Sequence, residues 1–289
     1  MKKILLFCSI LLASATQAQV TWEPKTTVLP NNIHIEYVEQ GKPKGLPVIL
    51  LHGFTDSWYS YSRVLPFLPP DLHVYAITMR GHGNSSHPAN GYLPKDFAGD
   101  IAAFMKAMRI GPAIIVGHSF GSLIAQQIAI DHPRQVQGLV LIGTFAHVGA
   151  NPLLKDLQGV IDQLKDPIDQ QFVAEFQKST VAQPVPTSFM NAVVSESMKV
   201  PAHVWKSVME AFMPLNNTTA LKQFSKPTLI VRGALDELCP RADQDVLVQA
   251  IKGAQYFEYE KAGHGLHWEE PEKFAFDLTA FSRIVKNNR

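Results

Sequence analysis

Short apolar runs alternate along most of the chain with stretches in which apolar residues recur every three or four positions. Val48-Ile49-Leu50-Leu51 and Ile114-Ile115-Val116 contain no polar position, the pattern of strands covered on both faces in a mostly parallel sheet. Strands are predicted at 33–38, 48–51, 74–77, 113–116, 138–142, 228–231 and 256–259, and helices at 97–108, 122–130, 242–251 and 272–286. Strand then helix, repeated, predicts a doubly wound α/β domain with a mostly parallel sheet.

One interval breaks the alternation. From about residue 149 to 221 no strand pattern is present, and the chain instead offers a series of helix starts: Asn151-Pro152, Asp166-Pro167, Thr187 after Pro186, and Pro201 after Val200. Each sets a capping side chain or a proline at a first helical turn. Leu153, Leu154, Leu157, Val160, Ile161 and Leu164 recur at helical spacing, so they are expected to face apolar material. The organisation expected is therefore an α/β core over 19–146, an inserted helical cap over 147–221, and a return to the core over 222–289.

The first 18 residues read differently from the rest. Lys2 and Lys3 precede an almost continuous apolar run, and small residues around Ala15 and Ala18 offer cleavage positions, which is the pattern of a secretory signal peptide. Nine or so apolar residues at ~1.5 Å each cover less than half of a ~30 Å hydrocarbon core, so no stable membrane anchor is expected. Phe7 precedes Cys8, which argues against a lipid-modified cysteine. Cleavage after Ala18 removes both lysines and Cys8, shifting the net charge from +1 to −1 and leaving Cys239 without an intramolecular disulfide partner. A secreted or periplasmic protein is expected, held together by packing alone.

Composition supports a globular domain. Hydrophobic residues make up 46% of the 289 positions, which excludes a disordered chain, and Lys+Arg 26 against Asp+Glu 25 supplies no basic stripe for nucleic acid. No His or Cys spacing resembles a zinc site, so neither a metal nor another cofactor is expected. Asn84, Asn216 and Asn217 begin N-x-Ser/Thr strings, which matter only in a glycosylating host. Oligomeric state is left open.

The chemistry centres on Gly117-His118-Ser119-Phe120-Gly121. G-x-S-x-G arises by chance in about one chain in ten of this length, so its context decides its meaning. Here a buried strand runs into it and a helix leaves it. A serine on such a strained strand-to-helix turn needs small residues two positions away on either side, and the turn puts its hydroxyl at the carboxyl end of the sheet. Ser119 then needs a base and an orienting acid, which on this topology follow in the order Ser, Asp or Glu, His. His264 follows strand 256–259 directly, and His267 lies three residues further on; Asp236 leaves strand 228–231, with Glu237 as the adjacent alternative. The triad expected is Ser119, Asp236 and His264. Backbone N–H groups of Phe120 and of Phe54, in the loop after strand 48–51, are expected to form the oxyanion hole, with His52 hydrogen-bonding inside that loop.

With these residues in place, the chain resembles the α/β-hydrolase superfamily, in the capped subgroup of small esterases, carbon–carbon bond hydrolases, cofactor-free haloperoxidases, haloalkane dehalogenases and epoxide hydrolases. The resemblance rests on Leu50-Leu51-His52-Gly53-Phe54, Arg80-Gly81-His82-Gly83-Asn84-Ser85, the Ser119 motif, Gly233 with Asp236 and Pro240, and Gly263-His264 with Trp268-Glu269-Glu270-Pro271. Residues 54–61 are similar to epoxide hydrolases, but those and the dehalogenases use an Asp nucleophile, which Ser119 contradicts. Thr78 stands where the family more often has Asp. The resemblance implies an exported serine hydrolase acting on a small-molecule substrate, with small, partly hydrophobic esters or lactones the main expectation. A carbon–carbon hydrolase, a perhydrolase, or a hydrolase-fold receptor with slow turnover are the alternatives. Trp58 and Phe145, near predicted strand ends, are expected to line the site, whereas most cap aromatics and methionines are expected to pack among the cap helices.

Overall fold

The computed structural model describes residues 22–288, so the predicted signal peptide, residues 1–18, lies outside the described residues. Strands β1 (Lys25–Val28), β2 (His34–Gln40), β3 (Leu46–Leu51), β4 (Leu72–Thr78), β5 (Ala113–His118), β6 (Val136–Ile142), β7 (Thr228–Gly233) and β8 (Gln255–Tyr259) form one sheet. Its order is β1-β2-β4-β3-β5-β6-β7-β8. β2 is antiparallel to both neighbours, and every pairing from β4 onward is parallel. The doubly wound α/β architecture is as the sequence implied. β1 is an additional edge strand that the pattern did not mark, because Lys25, Thr26 and Val28 are all exposed and leave no buried alternation to read.

The unbroken apolar runs make physical sense once both faces are covered. Successive side chains of a strand point to opposite faces. Thus Ile49, Leu51, Ile115, Leu139 and Leu141 enter one core, while Val48, Leu50, Ile114, Val116, Val140 and Ile142 enter the other. The first core is closed by α1 (Pro94–Ala107), α2 (Phe120–Asp131) and α8 (Arg241–Ala250) through Phe97, Phe104, Ile124, Ile128 and Leu247. The second is closed by α9 (Pro271–Asn287), whose Phe274, Leu278, Phe281 and Val285 recur at helical spacing, and by Tyr61, Val64 and Leu65 of the chain between β3 and β4. Each such fully buried side chain contributes roughly 1.5–3 kcal/mol against the entropy of ordering the chain.

Between β6 and β7 the chain forms α3 (Pro152–Ile161), α4 (Gln170–Lys178), α5 (Thr187–Ser197), α6 (Ala202–Phe212) and α7 (Thr218–Leu221), with no strand among them. Asn151 Oδ1 accepts from the N–H groups of Leu153 and Leu154, capping α3 as its sequence implied. Asp166-Pro167 does not start a helix. Asp169 caps α4 instead, by accepting from Phe172 N–H at 2.9 Å, and Asp166 Oδ1 accepts from Ala202 N–H at 2.8 Å, covering an open donor of α6. The apolar stripe of α3 is narrower than its spacing suggests: Leu154 and Ile161 are buried, but Leu153 and Val160 are exposed. No helix among the described residues is long and apolar enough to cross a membrane.

β3 has β4 on one side and β5 on the other, so strand order reverses there. The carboxyl ends of these strands are where open α/β sheets bind ligands.

Candidate active site

Ser119 stands between β5 and α2 at φ 52°, ψ −118°, a backbone conformation that a non-glycine residue holds only when its surroundings enforce it. The enforcement is visible on both sides. A methyl group on Gly117 would lie 2.2 Å from the carbonyl oxygen of Gly121, and one on Gly121 would lie 2.4 Å from that of His52. Only glycine fits at either position. The first turn of α2 is therefore pressed against the end of β3, which brings Phe120 and the Gly53-Phe54 loop together beside Ser119. Ser119 N–H donates to Ile142 O at 2.8 Å, fixing the turn to β6.

The predicted acid and base meet across two later strands. His264 Nδ1 lies 2.8 Å from Asp236 Oδ2, and both side chains are buried. Asp236 Oδ1 accepts from Cys239 N–H at 2.9 Å. An Nδ1 proton donated to Asp236 leaves Nε2 of His264 free to act as a base. Glu237, the alternative acid, is not part of this pairing. Arg232, which the sequence did not single out, fastens the acid loop from inside: its guanidinium donates to Cys239 O at 2.7 Å, to Asp236 O at 2.9 Å and to Glu258 at 3.1 Å. A buried arginine on a strand has no distinctive sequence signature, so only the fold reveals its partners.

Ser119, His264, Phe54, Phe120 and Phe145 line one cavity. A concave, mostly apolar site with a few polar groups is the usual form of a small-molecule pocket. The helices between β6 and β7 supply much of its wall through Leu154, Leu157, Phe176, Met209 and Phe212. Phe145 is thus where the sequence placed it. Trp58 is not among the lining residues: its N–H donates to Thr78 Oγ1, and its ring packs on Tyr59 and the second core. The short 3-10 turn Trp58–Tyr61 carries it away from the strand end. His52 Nδ1 lies 2.7 Å from Gly53 O within its loop, and Nε2 accepts from Met79 N–H, so this ring also ties the loop to the end of β4. Thr78 Oγ1 donates to Glu36, so a carboxylate from β2 lies beside the position where the resemblance favours Asp.

The cap aromatics divide between packing and lining. Trp205 is fully buried against Phe54, Phe172 and Phe176, whereas Phe176, Met209 and Phe212 face the cavity.

Several polar residues that sequence reasoning missed also line the cavity, namely Asp56, His118, Gln177 and Thr180. Gln177 Nε2, on α4, reaches Asp56 Oδ1 at 2.9 Å and Ser197 Oγ at 2.8 Å. Burial pushes the Asp56 carboxyl up to about 7, partly offset by its hydrogen bonds from Gln177 and Ser60. His118 Nε2 lies 3.0 Å from His264 O, a carbonyl that can only accept, so Nε2 carries the proton and Nδ1 is an acceptor. Burial holds both His118 and His267 well below the usual imidazole range, the latter at about 3, so both rings are neutral. Asp56 follows the predicted oxyanion loop by two residues, and that proximity was the one signal available for it.

Asp236, Cys239 and His264 also form the group of metal-capable side chains found among the described residues. Their atoms already partner one another or the backbone, with Cys239 Sγ donating to Gly143 O. Burial raises the Cys239 thiol, keeping it protonated and a poor ligand. The donor set fits an acid–base pair better than a metal centre.

Comparison with known proteins agrees with this architecture. The sequence model of the family described as alpha/beta hydrolase fold matches residues 47–271. The pyrrolizixenacetamide deacetylase of Xenorhabdus hominickii is 27% identical over 260 residues, covering 86% of this chain and 94% of that protein. A non-heme chloroperoxidase of Streptomyces lividans is 27% identical over 282 residues, covering 89% and 98%. Among solved structures, an esterase from Exiguobacterium antarcticum superposes with a TM-score of 0.79 at 23% identity, covering 91% of this chain and all of that one.

Proposed function

From the premise that the chain belongs to the α/β-hydrolase fold family, we propose that it is an exported serine hydrolase cleaving small, partly hydrophobic carboxylic esters or lactones. The observation that carries this reading is the 2.8 Å contact of His264 Nδ1 with Asp236 at the wall of the cavity that holds Ser119 on its strained turn.

In this mechanism His264 Nε2 takes the Ser119 hydroxyl proton as Oγ attacks the ester carbonyl, and the C=O pair moves onto oxygen. The N–H groups of Phe54 and Phe120 stabilise that oxyanion. As the tetrahedral species collapses, the bond to the leaving alkoxide breaks and His264 hands it the proton, leaving an acyl ester on Ser119. Water then repeats the cycle: His264 takes a proton from it, hydroxide adds to the acyl carbon, and Ser119 leaves with that proton. Asp236 keeps its contact with His264 Nδ1 throughout and holds the imidazolium that forms transiently. The largely apolar lining suits an aliphatic or aryl group beside the ester.

Ser119→Ala should reduce turnover of a chromogenic acyl ester by at least 10³-fold while leaving the thermal melt unchanged. Turnover that survives this substitution would overturn the assignment. Cycling many times per protein molecule distinguishes an enzyme from a receptor with slow hydrolysis, which would stall near one turnover. Export rests on residues 1–18 alone, and fractionation of expressing cells tests it: retention of the full-length chain in the cytosol would refute it.

A further inference from the structure

Ser119 is not alone in carrying backbone strain beside the cavity. Thr55 holds φ +67°, a left-handed conformation that a β-branched side chain tolerates poorly, at the third position of a turn that Asp56 N–H closes on Gly53 O at 3.2 Å. At positive φ that position favours glycine or asparagine. The residue before it is Phe54, whose N–H is the expected oxyanion donor, so the direction of that N–H depends on how the strained turn is held.

The holding groups come from the helices inserted between β6 and β7. Thr55 is wholly buried, and its hydroxyl meets Ser197 Oγ at 3.3 Å and Gln177 Nε2 at 3.1 Å. Gln177 Nε2 also reaches Ser197 Oγ at 2.8 Å and, in the same turn as Thr55, Asp56 Oδ1 at 2.9 Å. One bond fixes the proton directions in this cluster. Ser197 gives its hydroxyl proton to Val193 O at 3.0 Å, so toward Thr55 and Gln177 it can only accept. Thr55 therefore donates to Ser197, and the Gln177 amide shares its two N–H groups among the three oxygens. Gln177 lies in the last turn of α4, and that end is itself fastened, because Thr180 O accepts from Gly265 N–H at 2.7 Å beside His264. Glycine would hold the turn without strain, and valine would fill the same space without a hydroxyl. A strained threonine persists where its surroundings over-determine the conformation, and here they do so through the hydroxyl.

We propose that Gln177 and Ser197 are positioning residues for the oxyanion hole: through the Thr55 hydroxyl, the inserted helices keep the 53–56 turn in the strained form that aims Phe54 N–H at the developing oxyanion. The inference rests on the serine-hydrolase reading and gives the cap a part in transition-state stabilisation as well as in walling the cavity. Releasing the clamp weakens a contact made chiefly in the transition state, so kcat falls while KM holds.

The test measures kcat and KM of the full chain for a chromogenic ester, and the inhibition constant of an aryl trifluoromethyl ketone. The ketone carbon bonds Ser119 Oγ, the serine proton passes to His264, and the ketone oxygen becomes the anion in the hole. Thr55→Val keeps the shape and removes the hydroxyl, and Ser197→Ala removes its acceptor; neither residue lines the cavity. Each should lower kcat by about 10- to 100-fold and weaken the ketone by a similar factor, with KM within about threefold of wild type. Thr55→Gly is the rescue. Glycine holds a positive φ unaided, so kcat in Thr55→Gly should exceed that in Thr55→Val by at least about fivefold, and adding Ser197→Ala to it should change kcat by less than about twofold. A role in packing alone predicts the reverse order, because glycine removes more of the side chain than valine does. Wild-type kcat in Thr55→Val or Ser197→Ala, a loss carried by KM, or a Thr55→Gly no faster than Thr55→Val would overturn the clamp. Turnover that persists in Ser119→Ala would instead overturn the serine-hydrolase reading on which the clamp rests.

Discussion

Gly143→Ala tests the architecture of the site without replacing any member of the proposed triad. Gly143 follows β6 at φ +50°, and a methyl group there would sit 2.9 Å from His264 Nδ1, 3.0 Å from its Cε1 and 3.3 Å from Asp236 Oδ2. Carbon contacts are most favourable at about 3.5–4.0 Å, so the imidazole must retreat by roughly half an ångström. Misplacement by about 1 Å costs on the order of 10²-fold in rate, so a loss of about 10- to 100-fold in kcat is expected, with KM little altered. The left-handed backbone adds a separate cost of about 1–2 kcal/mol in stability. Gly253→Ala isolates that second effect: Gly253 has φ +79°, and a methyl group there meets nothing within 4 Å. Both variants should lose stability in urea, Gly143→Ala the more because of its contact with His264, while only Gly143→Ala should lose ester hydrolysis. If Gly143→Ala hydrolyses a chromogenic ester within twofold of Gly253→Ala, the placement of His264 against the end of β6 is not what holds its imidazole in register, and the reasoning fails.

Two further outcomes follow from buried polar groups. Because burial raises the Asp56 carboxyl from 3.8 to about 7, the folded chain binds more protons than the unfolded chain between those values, so its contribution to stability is full below about 4 and declines as pH rises through 7. Asp56→Asn, which cannot ionise, should therefore gain stability over wild type by up to about 4 kcal/mol at pH 8 and by almost nothing at pH 4 in urea titrations; a pH-independent difference would contradict the burial argument. Arg232→Met leaves the carbonyls of Asp236 and Cys239 without their guanidinium donors, so stability should fall by about 2–4 kcal/mol and kcat by tenfold or more. An unchanged kcat would show that Asp236 is held without Arg232.

The parts of the fold that were legible share a physical feature: their signal is local. A strand buried on both faces must be apolar at every position, so β3 and β5 were readable from Val48-Ile49-Leu50-Leu51 and Ile114-Ile115-Val116 alone. A serine at a pinched turn needs glycines at fixed offsets, so Gly117 and Gly121 identified the strained position of Ser119 before any contact was known. Asp236 and His264 were narrower inferences, reached because the topology prescribes their order along the chain, and the structure places their side chains together. β1 escaped notice because an exposed edge strand has no buried face to impose a pattern. Asp166 misled for a related reason: the Asp-Pro pair is a helix-start signal, but whose N–H the carboxylate meets depends on where α6 lies.

The sequence by itself determined the sheet-and-helix alternation, the helical excursion and the strained serine, because each depends on period or side-chain size within a few residues. Tertiary structure alone decided which side chains share the cavity. Asp56, His118 and Gln177 come from the ends of β3 and β5 and from α4, separated by as many as 121 positions, and nothing local to any of them specifies the others. Trp58 shows the converse, since its sequence position beside the loop suggested the cavity and a single 3-10 turn directed it into the core. Side-chain direction at a loop is set by the elements that pack around it, and that packing exists only after the sheet, the connecting helices and the acid loop held by Arg232 have come together.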